Sequence, residues 1–190
     1  MILFNTDMKY AEFLLLNQGD RLEFIYGMRF LKDVDILLPA NNYVSDKPIE
    51  ELSFGTVKQL MECFESGEDC LMFLCGHPET CDDYSLEKML RLPAWKVLRT
   101  AEFLNDTVES FIQAESEMLS SIFPNKYKAQ TEQIGFDMFS AHFIQRDSLA
   151  GGDVLKYDEV DKLPYSMCLA KLTLDQKRSN LQDLVMQTSK

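Results

Sequence analysis

The chain has 190 residues, a formal net charge of −12 and a pI near 4.6, a balance that argues against gripping a nucleic-acid backbone, which needs clustered Lys and Arg to release counterions. A hydrophobic fraction of 46%, with 13 Phe, 10 Met and 7 Tyr, excludes a disordered chain, because that much apolar surface supports a packed interior. The length suits one domain with a sizeable core, and the expectation is a single mainly helical domain over 1–190 with an N-terminal α+β subregion over 1–50.

The first residues, Met1-Ile2-Leu3-Phe4-Asn5, carry no basic region followed by a long apolar run, so no secretory signal is expected. Ile2 to Phe4 is extended in character, and Thr6 with Asp7 offers a cap for a helix bearing Tyr10, Phe13 and Leu14. Gly19-Asp20 then punctuates. Leu22, Phe24, Tyr26, Met28 and Phe30 alternate with the period of a half-buried strand, which predicts a small β element near the N-terminus. From Pro39 to Pro48 the Asn41-Asn42 pair, Ser45 and Asp46 make a connection.

Three segments share one apolar layout, a step of two followed by steps of three: Leu52, Phe54, Val57, Leu60; Tyr84, Leu86, Met89, Leu92; and Leu155, Tyr157, Val160, Leu163. This describes an extended residue entering a helix, with Ser53 or Ser85 as the cap and a hydrophobic staple from Leu52 to Val57 and from Tyr84 to Met89. In the third segment Lys156 is a poor cap, while Glu159 stands where a capping-box acid would. Two of the segments end in Leu-Pro, at Leu92-Pro93 and Leu163-Pro164, and each predicts a corner between a short helix and a longer one. After Pro93 a stripe from Trp95 to Ile122 predicts a helix of about 28 residues stopped by Pro124. Thr131 offers a cap for a helix bearing Ile134, Met138 and Phe143, weakened by Gly135, and Ala150-Gly151-Gly152 supplies a turn. Beyond Pro164 one helix carries Cys168, Leu169 and Leu172, with a break near Thr173 to Asp175 before a terminal helix bearing Leu181, Leu184 and Val185. The fold class expected is therefore mainly α (α+β), a multi-helix bundle with short stapled helices, Leu-Pro corners and a small N-terminal β element.

Chemistry is sparse. Cys63, Cys70, Cys75, His77 and Cys81 supply the thiolates and imidazole that zinc prefers, yet no Cys-x-x-Cys pair grips a metal from one turn, so buried reduced thiols are the expectation and no metal or cofactor is assigned. His77 lacks an orienting acid or oxyanion motif, and His142 reads as a semi-buried helix residue. Asp82-Asp83 and Glu50-Glu51 are adjacent pairs whose carboxylates diverge. Gly151-Gly152-Asp153 lacks the Lys-Ser or Lys-Thr of a phosphate loop. No catalytic residues are assigned, and a non-enzymatic role is expected. The basic residues Lys88, Arg91, Lys96 and Arg99, interleaved with Glu87, Glu102 and Asp106, read as a solvated helix face.

From Leu149-Ala150-Gly151-Gly152-Asp153-Val154-Leu155-Lys156-Tyr157-Asp158-Glu159-Val160 through Leu163-Pro164-Tyr165 to Lys171-Leu172 the chain resembles small tail-module proteins of tailed bacteriophages, above all the helical tail assembly chaperone. The likeness rests on residues 149–190. It implies a non-catalytic protein that binds another phage structural or assembly protein, such as the tape measure, in the host cytoplasm during assembly, with no nucleic acid or membrane as partner and oligomerisation left open. The candidate partner-binding residues are Tyr157, Tyr165, Met167 and Met186, with Trp95 better placed in a core. Two alternatives stand beside this reading. One is a minor virion component, a ring, neck or cargo protein. The other is an acidic inhibitor imitating nucleic acid with a carboxylate line of Asp106, Glu109, Glu115 and Glu117.

Overall fold

A computed structural model describes residues 7–35, 40–121 and 132–188; side chains are described outside 29–35 and Asp137. The described residues are mainly helical and contain no strand, only two isolated β-bridges. The helices are α1 (Tyr10–Leu15), α2 (Gln18–Asp35), α3 (Phe54–Glu65), α4 (Cys70–Gly76), α5 (Leu86–Arg91), α6 (Ala94–Met118), α7 (Ala141–Ala150), α8 (Tyr157–Asp161) and α9 (Tyr165–Thr188). The chain divides into two compact units, Met1–Lys47 with Leu60–Glu109 and Pro48–Gln59 with Ser110–Lys190.

The expected N-terminal β element is not there. Residues 22–30 lie inside α2, where Phe24 and Met28 are buried four residues apart while Leu22 and Tyr26 face solvent. The apparent two-residue alternation was the overlap of two helical faces, since every second apolar residue of a helix wraps to the opposite side. Asn17 starts this helix: its Oδ1 accepts from the Asp20 backbone N–H at 3.0 Å, and its Nδ2 donates to Asp20 Oδ2 at 2.7 Å. The proposed extended stretch Ile2 to Phe4 and the cap Thr6 lie outside the described residues, as do the stop Pro124 and the cap Thr131.

In the first unit, Phe13, Phe24 and Ala94 form a core flanked by Met8, Tyr10, Leu16, Ile25, Trp95 and Leu98. The loop at 40–47 is pinned onto it. Asn42 Nδ2 donates to the Tyr84 hydroxyl at 2.8 Å, the Tyr43 N–H donates to Thr100 Oγ1 at 2.9 Å, and Lys88 donates to the Val44 carbonyl. Lys88 and Arg91 are exposed, as a solvated face would be, with Lys88 tied to the loop, whereas Arg99 departs from that expectation: it is only 1% exposed and paired with Glu102. Arg91 keeps its side chain in water, paired with Glu87. The run Cys70 to Cys75 becomes α4 because Asp69 caps it, accepting from the Leu71 and Met72 N–H groups.

Both Leu-Pro corners form, and each joins two helix starts. In the first unit the Tyr10 N–H donates to the Leu92 carbonyl at 2.9 Å and the Ala94 N–H to the Met8 carbonyl at 2.7 Å. In the second, the Phe54 N–H donates to the Leu163 carbonyl at 2.7 Å and the Tyr165 N–H to the Leu52 carbonyl at 3.1 Å. The first turn of any helix leaves N–H groups without intrahelical partners, and proline removes one of them and releases the preceding carbonyl. Two helix starts thus satisfy one another across a two-bond bridge. The apolar layout of the first three segments extends to α1, where Met8, Tyr10, Phe13 and Leu16 carry the same spacing.

The staple at Leu52 and Val57 forms, with both residues 1% exposed and Ser53 Oγ accepting from the Thr56 N–H at 3.3 Å. Tyr84 and Met89 are buried likewise. The third copy departs from the pattern: Asp153 caps a 3₁₀ turn at Val154–Lys156, and Leu155 points into solvent. The helix expected from Thr131 to Leu149 is interrupted, because Gly135 adopts φ 71° and Ser140 caps a new start, accepting from the Phe143 N–H at 3.2 Å. The long helix after Pro93 spans 25 residues as α6. The break expected at Thr173 to Asp175 does not occur, and α9 runs unbroken for 24 residues. No Pro or Gly interrupts that stretch, and Asp175 pairs with Lys171 and with Arg178, one turn away on either side.

Candidate functional site

The second unit anchors the start of α9 and leaves its remainder bare. Tyr165, the first residue after the Leu-Pro corner, is buried, with its ring stacked on Phe111 at 5.9 Å and on Phe54 at 6.5 Å between centroids. Its hydroxyl donates to Glu115 Oε2 at 2.9 Å. The other carboxylate oxygen of Glu115 accepts from the buried Lys58 ammonium and from Gln145 Nε2 at 2.7 Å. Burial by itself would raise the Glu115 pKa, but the Lys58 charge and three hydrogen bonds outweigh it and hold the carboxyl below its ordinary range. Burial, followed by the Glu115 charge, pushes the Tyr165 phenol up, so it stays a neutral donor. This network fixes the first turn of α9 by charge-assisted bonds in a dry setting.

Two turns further the anchoring stops. Cys168 and Leu172 are buried, and after Leu172 no described residue of α9 is. Met167 is 59% exposed, Leu174 46%, Leu181 60% and Val185 55%, and Leu184 is also open to solvent. Met167, Leu174 and Leu181 are seven residues apart, so they fall on one line along the helix, on the side away from Tyr165, Cys168 and Leu172. α9 therefore has two apolar faces, one covered and one bare. Beside the bare line an open, almost wholly apolar groove of about 460 Å3 runs between α9 and the end of α6, lined by Met118, Ser166, Leu169, Ala170, Thr173, Leu174 and Lys177. Exposed apolar surface of this kind is a recurrent feature of interaction sites.

The four residues proposed from sequence are spread over distinct settings. Tyr165 is interior and belongs to the anchor, with no surface to offer. Tyr157 is half-buried, its hydroxyl donating to Asp147 Oδ1 at 2.7 Å, with Arg146 over its ring at 4.7 Å and Phe143 at its edge. Met167 lies on the bare line. Met186 is exposed but a quarter-turn or more off that line, toward the direction in which Cys168 points. Trp95 is half-buried against Tyr43 at 5.3 Å in the first unit. The residues not singled out are Leu174, Leu181, Met118 and Lys177, and the signal for the first two was the seven-residue spacing from Met167, which the expected break at Thr173 concealed.

The Cys and His residues go to separate partners. Cys63 and Cys70 are buried neighbours, and burial pushes the Cys70 thiol up to about 12. Cys75 meets the Met89 sulfur at 3.8 Å, with its thiol raised by burial to about 11. His77 packs at a tilt against Phe73, with ring centroids 5.3 Å apart, and Cys81 is exposed with its thiol 3.7 Å from the Pro78 carbonyl. Among the described residues no three His, Cys, Asp or Glu side chains come together in a way that would hold a metal ion. His142 packs edge-on against Phe54, with Nε2 3.6 Å from Asp161 Oδ1, and Arg146 donates to Asp161 Oδ2 at 3.0 Å. The carboxylate line of Asp106, Glu109, Glu115 and Glu117 loses Glu115 to the interior.

Among the described residues no helix is long and apolar enough to cross a membrane. Comparison with protein-family models, with curated proteins and with solved structures finds no match to this chain.

Proposed function

We propose that the chain is a non-catalytic bacteriophage morphogenesis protein, tail assembly chaperone-like, that binds another assembly protein through the bare apolar face of α9. The observation that carries the reading is that α9 is fixed at its first turn by a buried ionic network and then exposes Met167, Leu174, Leu181 and Val185. A helix with only one face to cover would direct its polar residues outward. An apolar second face is tolerated when a partner covers it, and an amphipathic helix laid along such a surface is a recurrent mode of protein recognition. The phage assignment rests on the C-terminal resemblance alone. The acidic-inhibitor alternative is weakened by the burial of Glu115, which removes one member of its proposed charge line.

The test is recovery of the chain from the phage's host during infection, comparing the natural sequence with a Leu174→Ser, Leu181→Ser variant of equal helicity, together with mass spectrometry of purified particles. The reading expects a tail morphogenesis protein bound to the natural chain, absent from the variant, and no chain in mature particles. A chain retained stoichiometrically in particles, or a partner held equally by the variant, would overturn it.

A further inference from the structure

We infer that the occupant of the α9 groove is an acidic amphipathic helix, one whose apolar stripe is bordered by carboxylates. This rests on the interaction reading above and adds the chemistry of the partner. The shape comes first. An elongated apolar groove beside residues spaced by seven matches the ridge of a helix, whose anchors repeat every three to four positions.

Charge then selects among helices. The chain as a whole carries −12, yet α9 from Tyr165 to Arg178 holds three cations, Lys171, Lys177 and Arg178, against the single carboxylate of Asp175. Lys171 and Arg178 share that carboxylate, the latter at 3.6 Å. Lys177 stands on the lip of the groove with no ion pair among the described residues. A partner helix carrying Glu or Asp beside its apolar stripe gives Lys177 an ion-pair partner.

A second copy of the chain fits less well. An antiparallel pairing of two α9 helices about Leu174 sets Lys171 against Lys177, and a parallel pairing sets Lys177 against itself. Both juxtapose like charges across a closely packed seam, which disfavours the pair.

The experiment uses the full chain and two synthetic helical peptides with the same Leu heptads, one flanked by Glu and one by Lys, followed by fluorescence anisotropy at low and at physiological salt. The inference expects the Glu-flanked peptide to bind at least roughly tenfold more tightly than the Lys-flanked one. Lys177→Glu should shrink or reverse that ratio, and Leu174→Ser should weaken both peptides. Lys177 and Leu174 are exposed, so circular dichroism is expected to show both variants folded. Equal affinities, a preference for the Lys-flanked peptide, or no binding of either would overturn the inference. So would a concentration-dependent dimer in sedimentation that Leu174→Ser abolishes, since a second copy would then be the occupant. If a host partner is lost on Leu174→Ser while the peptides are not discriminated, the acidic-helix inference fails and the interaction reading survives. If no host partner depends on α9, both fail.

Discussion

α6 and α9 begin alike and end differently. Each leaves a Leu-Pro corner, and each has its first N–H bonded to a carbonyl two positions before another helix start. Along α6, Ala94, Val97, Leu104 and Val108 are buried over four turns. Along α9 burial ends at Leu172, the eighth of 24 residues. The same local grammar thus launches one helix that is an interior element and another that is largely surface. What separates them is the amount of neighbouring chain available to cover the apolar face. Helix starts are set by capping and by proline, whereas coverage is a property of the whole packing.

The comparison breaks most severely at Glu115, the α6 residue that holds the first turn of α9. Glu115→Gln strands the Lys58 charge in the interior and is expected to cost about 3–5 kcal/mol in denaturant unfolding. Replacing both partners by apolar residues, Lys58→Met with Glu115→Leu, should recover most of that loss, because an apolar pair of similar volume avoids both desolvation terms. The pH dependence has a definite sign. Glu115 is lowered in the folded state, so its contribution is fully present above the ordinary carboxylate value of 4.5 and is lost as pH falls through the lowered folded value. Stability measured between neutral and acid pH should fall less steeply in Glu115→Gln than in the natural chain.

Core truncation sharpens the contrast between the helices. Leu104→Ala in α6 should cost about 2–5 kcal/mol, since Leu104 is fully buried and its removal leaves a cavity. Leu181→Ala in α9 should change stability by no more than about 0.5 kcal/mol. A large effect at Leu181 would mean that this face is structural in the isolated chain. Between these extremes, Pro93→Ala and Pro164→Ala should each cost about 0.4–1 kcal/mol, through the added freedom of the unfolded chain. Nearly equal values would show that the two corners are energetically as well as geometrically equivalent. The smallest effect is chemical: a thiol-specific reagent should label Cys81 well before Cys70, Cys75 or Cys168, the first being exposed and the others raised to about 12, 11 and 11. Mass mapping of the adducts reads this without perturbing either helix.

Much of the helical framework was legible in the order of residues. Ser53 marks a start, Gly151 and Gly152 take the positive φ of 66° and 78° that the turn after α7 requires, and the Leu-Pro pairs mark corners. The strand predicted at Leu22 to Phe30 failed because an apolar-rich helix mimics alternation when both of its faces carry hydrophobic residues. The pairing of helix starts was not legible, as Tyr10 meets Leu92 and Phe54 meets Leu163 across long stretches of chain. Nor was the fate of Tyr165, which looked like a contact residue but is held inside by Glu115, fifty positions away.

The order of residues set the Leu-Pro corners, the start at Ser53 and the glycine turn after α7, because capping, glycine geometry and proline act within a few residues. Only the tertiary structure decided which apolar face each helix spends on the interior. That choice depends on long-range partners such as Lys58, Glu115 and Tyr165, and it is what leaves one side of α9 uncovered.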